Sequence, residues 1–243
     1  MPNAQRPIPI LMYHKVGASV DSKAGTFLNV SARSLERQMR LLAHLGYRGI
    51  TFREAAAALF EGASLPRKPV CVTFDDGYEC VADSALPVLK RFRWPATVFV
   101  PTAYVGQSNT WDEAFGNPIL PIMHWAGLRS LADEGWEISG HTRTHPKLAE
   151  LLDSEAEREM ADGKRDLEER LGSTVSTFCY PFGSVGATTP ALCRKVGFRA
   201  ACTTRSGLAS AESDPLLLPR VKIAYRDDVW GLLYRLLIRP RLP

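Results

Sequence analysis

The sequence predicts an α/β fold: an irregular (β/α) barrel with seven or eight strands. Three observations lead there. Short apolar runs alternate with amphipathic segments along all 243 residues, and regular alternation of that kind implies a parallel sheet with helices outside. There are enough β-α units to close a ring. The residues richest in chemistry, Asp75, Asp76 and His141, fall where predicted strands end, and strand ends are where such barrels carry their reactive groups. No repeat, low-complexity tract or linker interrupts the chain, so a single domain over 1–243 is expected, long enough for one substantial core.

Ile8 to Tyr13 reads as the first strand, and a long loop leads from it to Ser31, an N-cap. The helix that follows carries Leu35, Met39, Leu42 and Leu45 at helical spacing and stops at Gly46. Tyr47 to Thr51 is a strand and Glu54 to Phe60 a helix. Val70 to Phe74 is a buried strand, Glu79 to Arg91 a helix and Ala96 to Val100 a strand. The pattern continues with a helix near Ile122 to Glu134, a strand Trp136 to Ser139 and a helix Ser154 to Leu171. Thr174 to Tyr180 is then a strand, Thr189 to Val196 a helix and Phe198 to Thr203 a strand, with a late strand around Leu218 to Ile223.

Bulk properties narrow the function classes. The net charge of +4 is mild and its Lys and Arg are dispersed, so nucleic acid is not an expected partner. Five cysteines without a C-x-x-C pair argue against a disulfide framework. Met1 to Pro7 lacks an apolar signal region, so the chain as given reads as cytoplasmic unless a leader precedes it. The apolar tail at about 227–239 is too short to span a bilayer. A helix packed across the barrel is the first reading, and peripheral membrane contact, suited to a lipid-linked substrate, is the second.

Thr73-Phe74-Asp75-Asp76-Gly77-Tyr78 puts two adjacent carboxylates at the end of a buried strand. Neighbouring carboxylates repel. A catalytic metal site is one reason to place them there, and an ordinary Asp-Gly turn is another. His141-Thr142-Arg143-Thr144-His145 offers two imidazoles four apart. Pro146 disfavours a right-handed helix at His145, so the pair is expected on a loop or broken turn. The alternative is two unremarkable loop histidines. Together, Asp76, His141 and His145 form a ligand set for a catalytic ion with an open position.

On these residues the chain resembles the polysaccharide deacetylases of carbohydrate esterase family 4, the NodB-homology domain. The T-F-D-D-G and H-[ST]-x-x-H motifs are intact, in order and about 65 residues apart, and the resemblance covers about Pro9 to Ile223. It implies a metal-dependent hydrolase that removes N-acetyl groups from an amino-sugar glycan or glycan precursor. Asp75 would be the general base, and Asp76, His141 and His145 would hold one divalent ion. Zinc is the default ion for such ligands, with other transition metals open. The family's late L-x-H motif, which supplies its acid, is absent. Of the five histidines, His14 is the remaining strand-end candidate. Its early M-Y-H segment resembles the permuted poly-N-acetylglucosamine deacetylase branch, which makes His14 the expected general acid, protonated by acidic surroundings. A hydrogen-bonded rim histidine is the other reading.

Phe178-Cys179-Tyr180-Pro181-Phe182-Gly183 matches the family's R-x-P-[FY]-G motif except at its first position, where Cys179 replaces Arg. The resemblance implies an oxyanion donor in the Phe182 backbone N–H and a wall shaped by Tyr180 and Phe182. Arg220 either braces Asp75 in place of the missing Arg or lies on the surface. Trp111 and Trp125 are candidate sugar-facing aromatics, with packing the expected role for at least one. Two other functions stay open, a metal amidase for a non-sugar amide and a non-catalytic glycan binder. The intact Asp75 beside a metal triad argues against the second.

Overall fold

The computed structural model describes residues 6–18, 28–224 and 228–237. The expected N-terminal run at 1–5 and the ends of the tail helix at 227 and 238–239 lie outside the described residues. Ten strands are described: β1 (Ile10–Tyr13), β2 (Lys15–Val16), β3 (Asn29–Val30), β4 (Arg48–Ile50), β5 (Pro69–Phe74), β6 (Thr97–Val100), β7 (Glu137–Gly140), β8 (Thr177–Cys179), β9 (Ala200–Ser206) and β10 (Leu218–Lys222). The α-helices are α1 (Ala32–His44), α2 (Phe52–Glu61), α3 (Leu86–Phe92), α4 (Trp125–Asp133), α5 (Asp153–Leu171), α6 (Thr189–Lys195) and α7 (Val229–Leu237).

Seven parallel strands close a ring in the order β1-β10-β9-β8-β7-β6-β5, sealed by β1 against β5, where Ile10 to Tyr13 pair with Cys71 to Phe74. β1 occupies one whole edge of β5. The other edge is shared: β4 pairs with Pro69 to Cys71, and β6 with Thr73 and Phe74. The ring therefore has seven strands, and β4 flares off it as an eighth. All residues of β1, β6 and β7 are buried, as parallel strands covered on both faces require.

Alternation along the strands sorts two cores. Leu11, Tyr13, Val70, Val72, Phe74, Val98 and Val100 join the cluster under the helices. Ile10, Cys71, Phe99, Cys179, Ala200, Cys202 and Leu218 form a second cluster on the opposite strand face, inside the ring. Burial of each large side chain is worth about 1.5–3 kcal/mol. Toward the N-terminal strand ends, Glu137 accepts from Thr97 Oγ1 (2.9 Å), the Arg53 N–H (2.8 Å) and Thr177 Oγ1. The Phe52 N–H donates to Thr97 Oγ1 at 2.8 Å. The start of α2 is thereby anchored to the barrel floor, opposite the rim that carries the site. All five cysteines are free.

Several elements differ from expectation for local reasons. The loop before α1 contains β2 paired with β3. Leu45 is the C-cap of α1 and is exposed rather than packed with Leu35, Met39 and Leu42. α2 starts at Phe52, two residues early, because Thr51 and Glu54 form a reciprocal capping box. The helix expected over Glu79 to Arg91 is a π-helical turn at Val81–Ala85 followed by α3. Pro87 near the start of α3 has no N–H to continue a regular ladder. α7 packs against α1 and β10 with Leu232 and Leu236 buried, while Trp230 and Tyr234 stay exposed. Among the described residues no helix is long and apolar enough to cross a membrane.

Candidate active site

The site is assembled by turns that leave the C-terminal ends of the strands. After β5, Asp76 and Gly77 both take left-handed backbone conformations (φ 73 and 72), swinging the chain away while both carboxylates stay at the rim. Of the five non-glycine residues with positive φ among the described residues, four lie here: Asp76, Thr142, His145 and Phe182. Such conformations cost about 1–3 kcal/mol each and persist only where the surroundings over-determine them. The His141 to His145 segment is a loop. Glu159 of α5 holds it by accepting from the Arg143 and Thr144 N–H groups (3.0 and 2.8 Å) and from Thr144 Oγ1 (2.8 Å). A Cβ on Gly163 would lie 2.7 Å from the Thr142 carbonyl carbon and oxygen, so only glycine lets α5 approach this closely.

Asp76 Oδ1 lies 3.3 Å from His141 Nε2 and 3.2 Å from His145 Nε2, with all three side chains buried. Ligand atoms sharing one ion at 2.0–2.2 Å sit about 3.0–3.5 Å apart, so the three side chains fit a divalent ion. His141 Nδ1–H donates to the Cys179 carbonyl at 2.6 Å. A carbonyl can only accept, so Nδ1 carries the proton and the Nε2 lone pair is left for a ligand. Burial opposes the charge on Asp76, but the hydrogen bonds of His141 and His145, with the charges of His145 and His14, outweigh it and hold its carboxyl well below the usual range.

Arg220 is fully buried. Its Nη1 and Nη2 donate to Asp75 Oδ1 and Oδ2, both at 2.7 Å. Nη1 also reaches Thr73 Oγ1 (3.1 Å), Nε reaches the Thr203 carbonyl (2.9 Å), and Nη2 lies 3.2 Å from Cys179 Sγ. The guanidinium thus arrives from β10 beside the position where the family motif carries its Arg on β8, and the small Cys179 leaves room for it. Burial opposes ionisation of Asp75, but Arg220 and His14 outweigh it and hold the carboxyl below its usual value.

His14 leaves β1 with Nε2 3.7 Å from Asp75 Oδ2, and its Nδ1 has no hydrogen-bond partner among the described residues. The acidic surroundings do not by themselves keep it protonated as expected. Burial is the larger influence and moves its pKa down, against the attraction of Asp75 and Asp76.

His14, Asp75, Asp76, His141 and His145 line one cleft of about 480 Å³, together with Tyr180, Phe182 and Trp111, and Arg220 lies behind Asp75. Trp111 stands 4.6 Å from the His145 ring and 4.5 Å from Tyr104, and Phe182 flanks His145 on another side at 4.7 Å. Tyr180 lines the cleft but is wholly buried, edge-on to Phe178, so it forms base rather than exposed wall. Trp125 is outside the cleft, near Arg170. Sequence reasoning missed Phe115, exposed at the rim 6.0 Å from Phe182, and the support of that segment. Asn109 Nδ2 donates to Asp112 Oδ2 (2.9 Å) and to the Tyr78 hydroxyl (3.2 Å), and Asn117 Nδ2 donates to Asp112 Oδ1 (3.3 Å). The one signal available was the Asn109/Asp112 spacing around Trp111.

A family model described as polysaccharide deacetylase matches residues 62–201, more than half the chain. The chain belongs to the polysaccharide deacetylase family. The matched stretch contains Asp75, Asp76, His141, His145 and Phe182, while His14 and Arg220 lie outside it. The putative polysaccharide deacetylase YxkH of Bacillus subtilis is 29% identical over 217 residues, covering 89% of this chain and 71% of that protein. A poly-beta-1,6-N-acetyl-D-glucosamine N-deacetylase of Staphylococcus aureus is 23% identical over 211 residues, covering 83% and 69%. Among solved structures, Streptococcus pyogenes deacetylase PplD in complex with acetate aligns with a TM-score of 0.82 at 26% identity, covering 95% of this chain and 98% of that one. IcaB from Ammonifex degensii aligns with a TM-score of 0.79 at 28% identity, covering 94% and 96%. The deacetylase barrel is therefore matched over nearly the whole chain.

Proposed function

We propose that this family member hydrolyses the N-acetyl group of an amino sugar in a glycan or glycan precursor, using one divalent metal ion, zinc by default. The observation that carries the reading is the arrangement of Asp75, clamped by Arg220 and 3.7 Å from His14, directly beside the Asp76–His141–His145 triad in one cleft. Asp76, His141 and His145 would hold the ion, which when bound supplies Lewis acidity, lowering the pKa of water and polarising a carbonyl.

The chain's own groups do the rest. Asp75 is ionised and fixed in orientation, so it accepts a proton from the attacking water. The Phe182 N–H donates to the oxyanion as the acetamide carbon becomes tetrahedral, an interaction typically worth about 3–4 kcal/mol. When the C–N bond breaks, His14 Nε2 delivers a proton to the departing nitrogen. The proton taken up by Asp75 lies within reach of that Nε2, so the pair can pass one proton from water to amine. The products are acetate and a free amino sugar.

The exposed Phe115 and Phe182 beside Trp111 give the cleft aromatic faces at its rim, which favours a glycan over a small non-sugar amide. The test is acetate release from a panel of N-acetylated amino sugars and oligosaccharides by metal-loaded protein. Release from sugars supports the reading, and hydrolysis confined to non-sugar amides overturns it.

A further inference from the structure

Lys15 directly follows His14 and lines the same cleft. It is only 4% exposed, yet its ammonium makes no hydrogen bond or ion pair among the described residues. Its one contact of that kind is with the face of Tyr78, 5.0 Å from Nζ to the ring centroid. The backbone is fixed by the Lys15 N–H donating to the Leu28 carbonyl at 3.1 Å and by the pairing of β2 with β3. A lysine ordinarily extends its head group into water and is seldom this buried without an anion. Nζ is not one of the fully enclosed unpaired atoms among the described residues, so the ammonium opens onto the cleft, where no described carboxylate pairs with it.

The other charges of the cleft are not free: Lys222, also in the lining, has an interaction of its own, and the remaining ones have named partners. Asp75 faces Arg220, and Asp76 faces two imidazoles. Asp112 accepts from Tyr78, Asn109 and Asn117. Lys147 pairs with Glu150 at 3.1 Å.

We propose that Lys15 is an anion subsite: the glycan carries a phosphate or a carboxylate on or next to the N-acetylated sugar, and Lys15 binds it. This rests on the deacetylase reading above and adds the charge of the substrate. A lysine head is a compact point charge that accepts either anion without bidentate geometry. Lys15 follows His14 in the chain and both line the cleft, so the proposal assigns the anion to the amino-sugar side, where His14 would protonate the departing nitrogen. A charged group there gains an ion pair that a neutral sugar cannot form, and in a partly desolvated cleft such a pair is screened less than on the surface.

The test measures kcat/KM for acetate release by metal-loaded wild type, Lys15→Met and Lys15→Arg. Three substrates serve: neutral N-acetylglucosamine oligomers, a phosphate-bearing N-acetylglucosamine, and an oligomer alternating N-acetylglucosamine with a uronic acid. Wild type should prefer one charged substrate by about tenfold or more, equivalent to about 1.4 kcal/mol, through a lower KM. The preferred substrate distinguishes phosphate from carboxylate. Lys15→Met should lose the preference and Lys15→Arg should retain most of it; if Lys15→Met does not fold, Lys15→Gln is the neutral variant.

A wild type without charge preference, or a preference that survives the neutral variant, overturns the subsite. Release from neutral oligomers with no preference removes the subsite and leaves the deacetylase. Release from no sugar removes the deacetylase reading, and the subsite is then decided by calorimetric binding of inorganic phosphate. Wild type must bind phosphate more tightly than Lys15→Met, and equal affinity overturns the subsite.

Discussion

The guanidinium of Arg220 and the carboxylate of Asp75 meet through two parallel hydrogen bonds of 2.7 Å, the guanidinium wholly buried inside the barrel and the carboxylate at the floor of the cleft. Breaking a buried pair by removing one partner leaves an uncompensated charge and typically costs about 3–5 kcal/mol. Arg220→Met should destabilise the fold by about that amount in urea unfolding. It should also raise the pKa of Asp75, because burial then acts without its main opponent, and shift the acid limb of the activity profile to higher pH. Adding Asp75→Asn to Arg220→Met should recover much of the lost stability. Strict additivity of the two substitutions would show that the pair is not coupled.

Asp75→Asn removes the proposed base while keeping its size. The proposed ligands are Asp76, His141 and His145, so the variant should bind metal stoichiometrically and lose activity by about 100-fold or more, as loss of general-base catalysis implies. Metal analysis beside the acetate assay checks both halves. Near-native activity would remove Asp75 from the base role.

Chelation should abolish activity and lower stability together. At a metal concentration 100 times its Kd the bound ion adds about 2.7 kcal/mol. Thermal melts with and without chelator should therefore differ by several degrees, and His145→Ala should shrink the difference. A metal-independent melt would mean that no ion is held in the folded state.

The site was legible in the sequence where its chemistry is local, and hidden where it depends on register. Thr73 to Gly77 and His141 to His145 are short windows whose residue types and strand-end positions already carry their meaning. Arg220 lies 145 positions from Asp75, and only the β10–β1–β5 pairing reveals which way its side chain points. Lys15 reads as an ordinary surface charge until β2 and Tyr78 enclose it. The barrel was legible because parallel strands buried on both faces are continuous apolar runs. The two-residue strands β2 and β3 are too short for any periodicity. The π-helical turn at Val81–Ala85 shares its apolar pattern with a regular helix, and the 3₁₀ segment that delivers Trp111 is held by the side chains of Asn109 and Asp112 rather than by periodic burial.

Gly163→Ala separates propensity from packing. In mid-helix alanine is normally favoured over glycine by about 1 kcal/mol. Here the added Cβ would stand 2.7 Å from the Thr142 carbonyl, so α5 or the histidine loop must shift. The expected outcome is destabilisation by about 1–3 kcal/mol, with weaker metal binding, because Thr142 sits between the two histidines. A stabilised variant with unchanged metal affinity would show that the loop yields freely.

Glu137 supplies a pH signature on the barrel floor, away from the metal triad. Burial raises its pKa above the usual 4.5, and the bonds from Thr177, Arg53 and Thr97 only partly offset this. The folded protein therefore retains the Glu137 proton at pH values where the unfolded chain has lost it. Its stabilising contribution is full below pH 4.5 and is lost as pH rises through the folded-state pKa. The stability of wild type relative to Glu137→Gln, both metal-free, should accordingly fall as pH is raised from about 4 toward neutrality. Taking the difference cancels every other titrating group, and the altered hydrogen bonding of Gln adds an offset without a pH slope. Urea unfolding of both proteins at four pH values reads that slope directly, and a flat or rising difference would mean that the floor carboxyl ionises as easily as an exposed one.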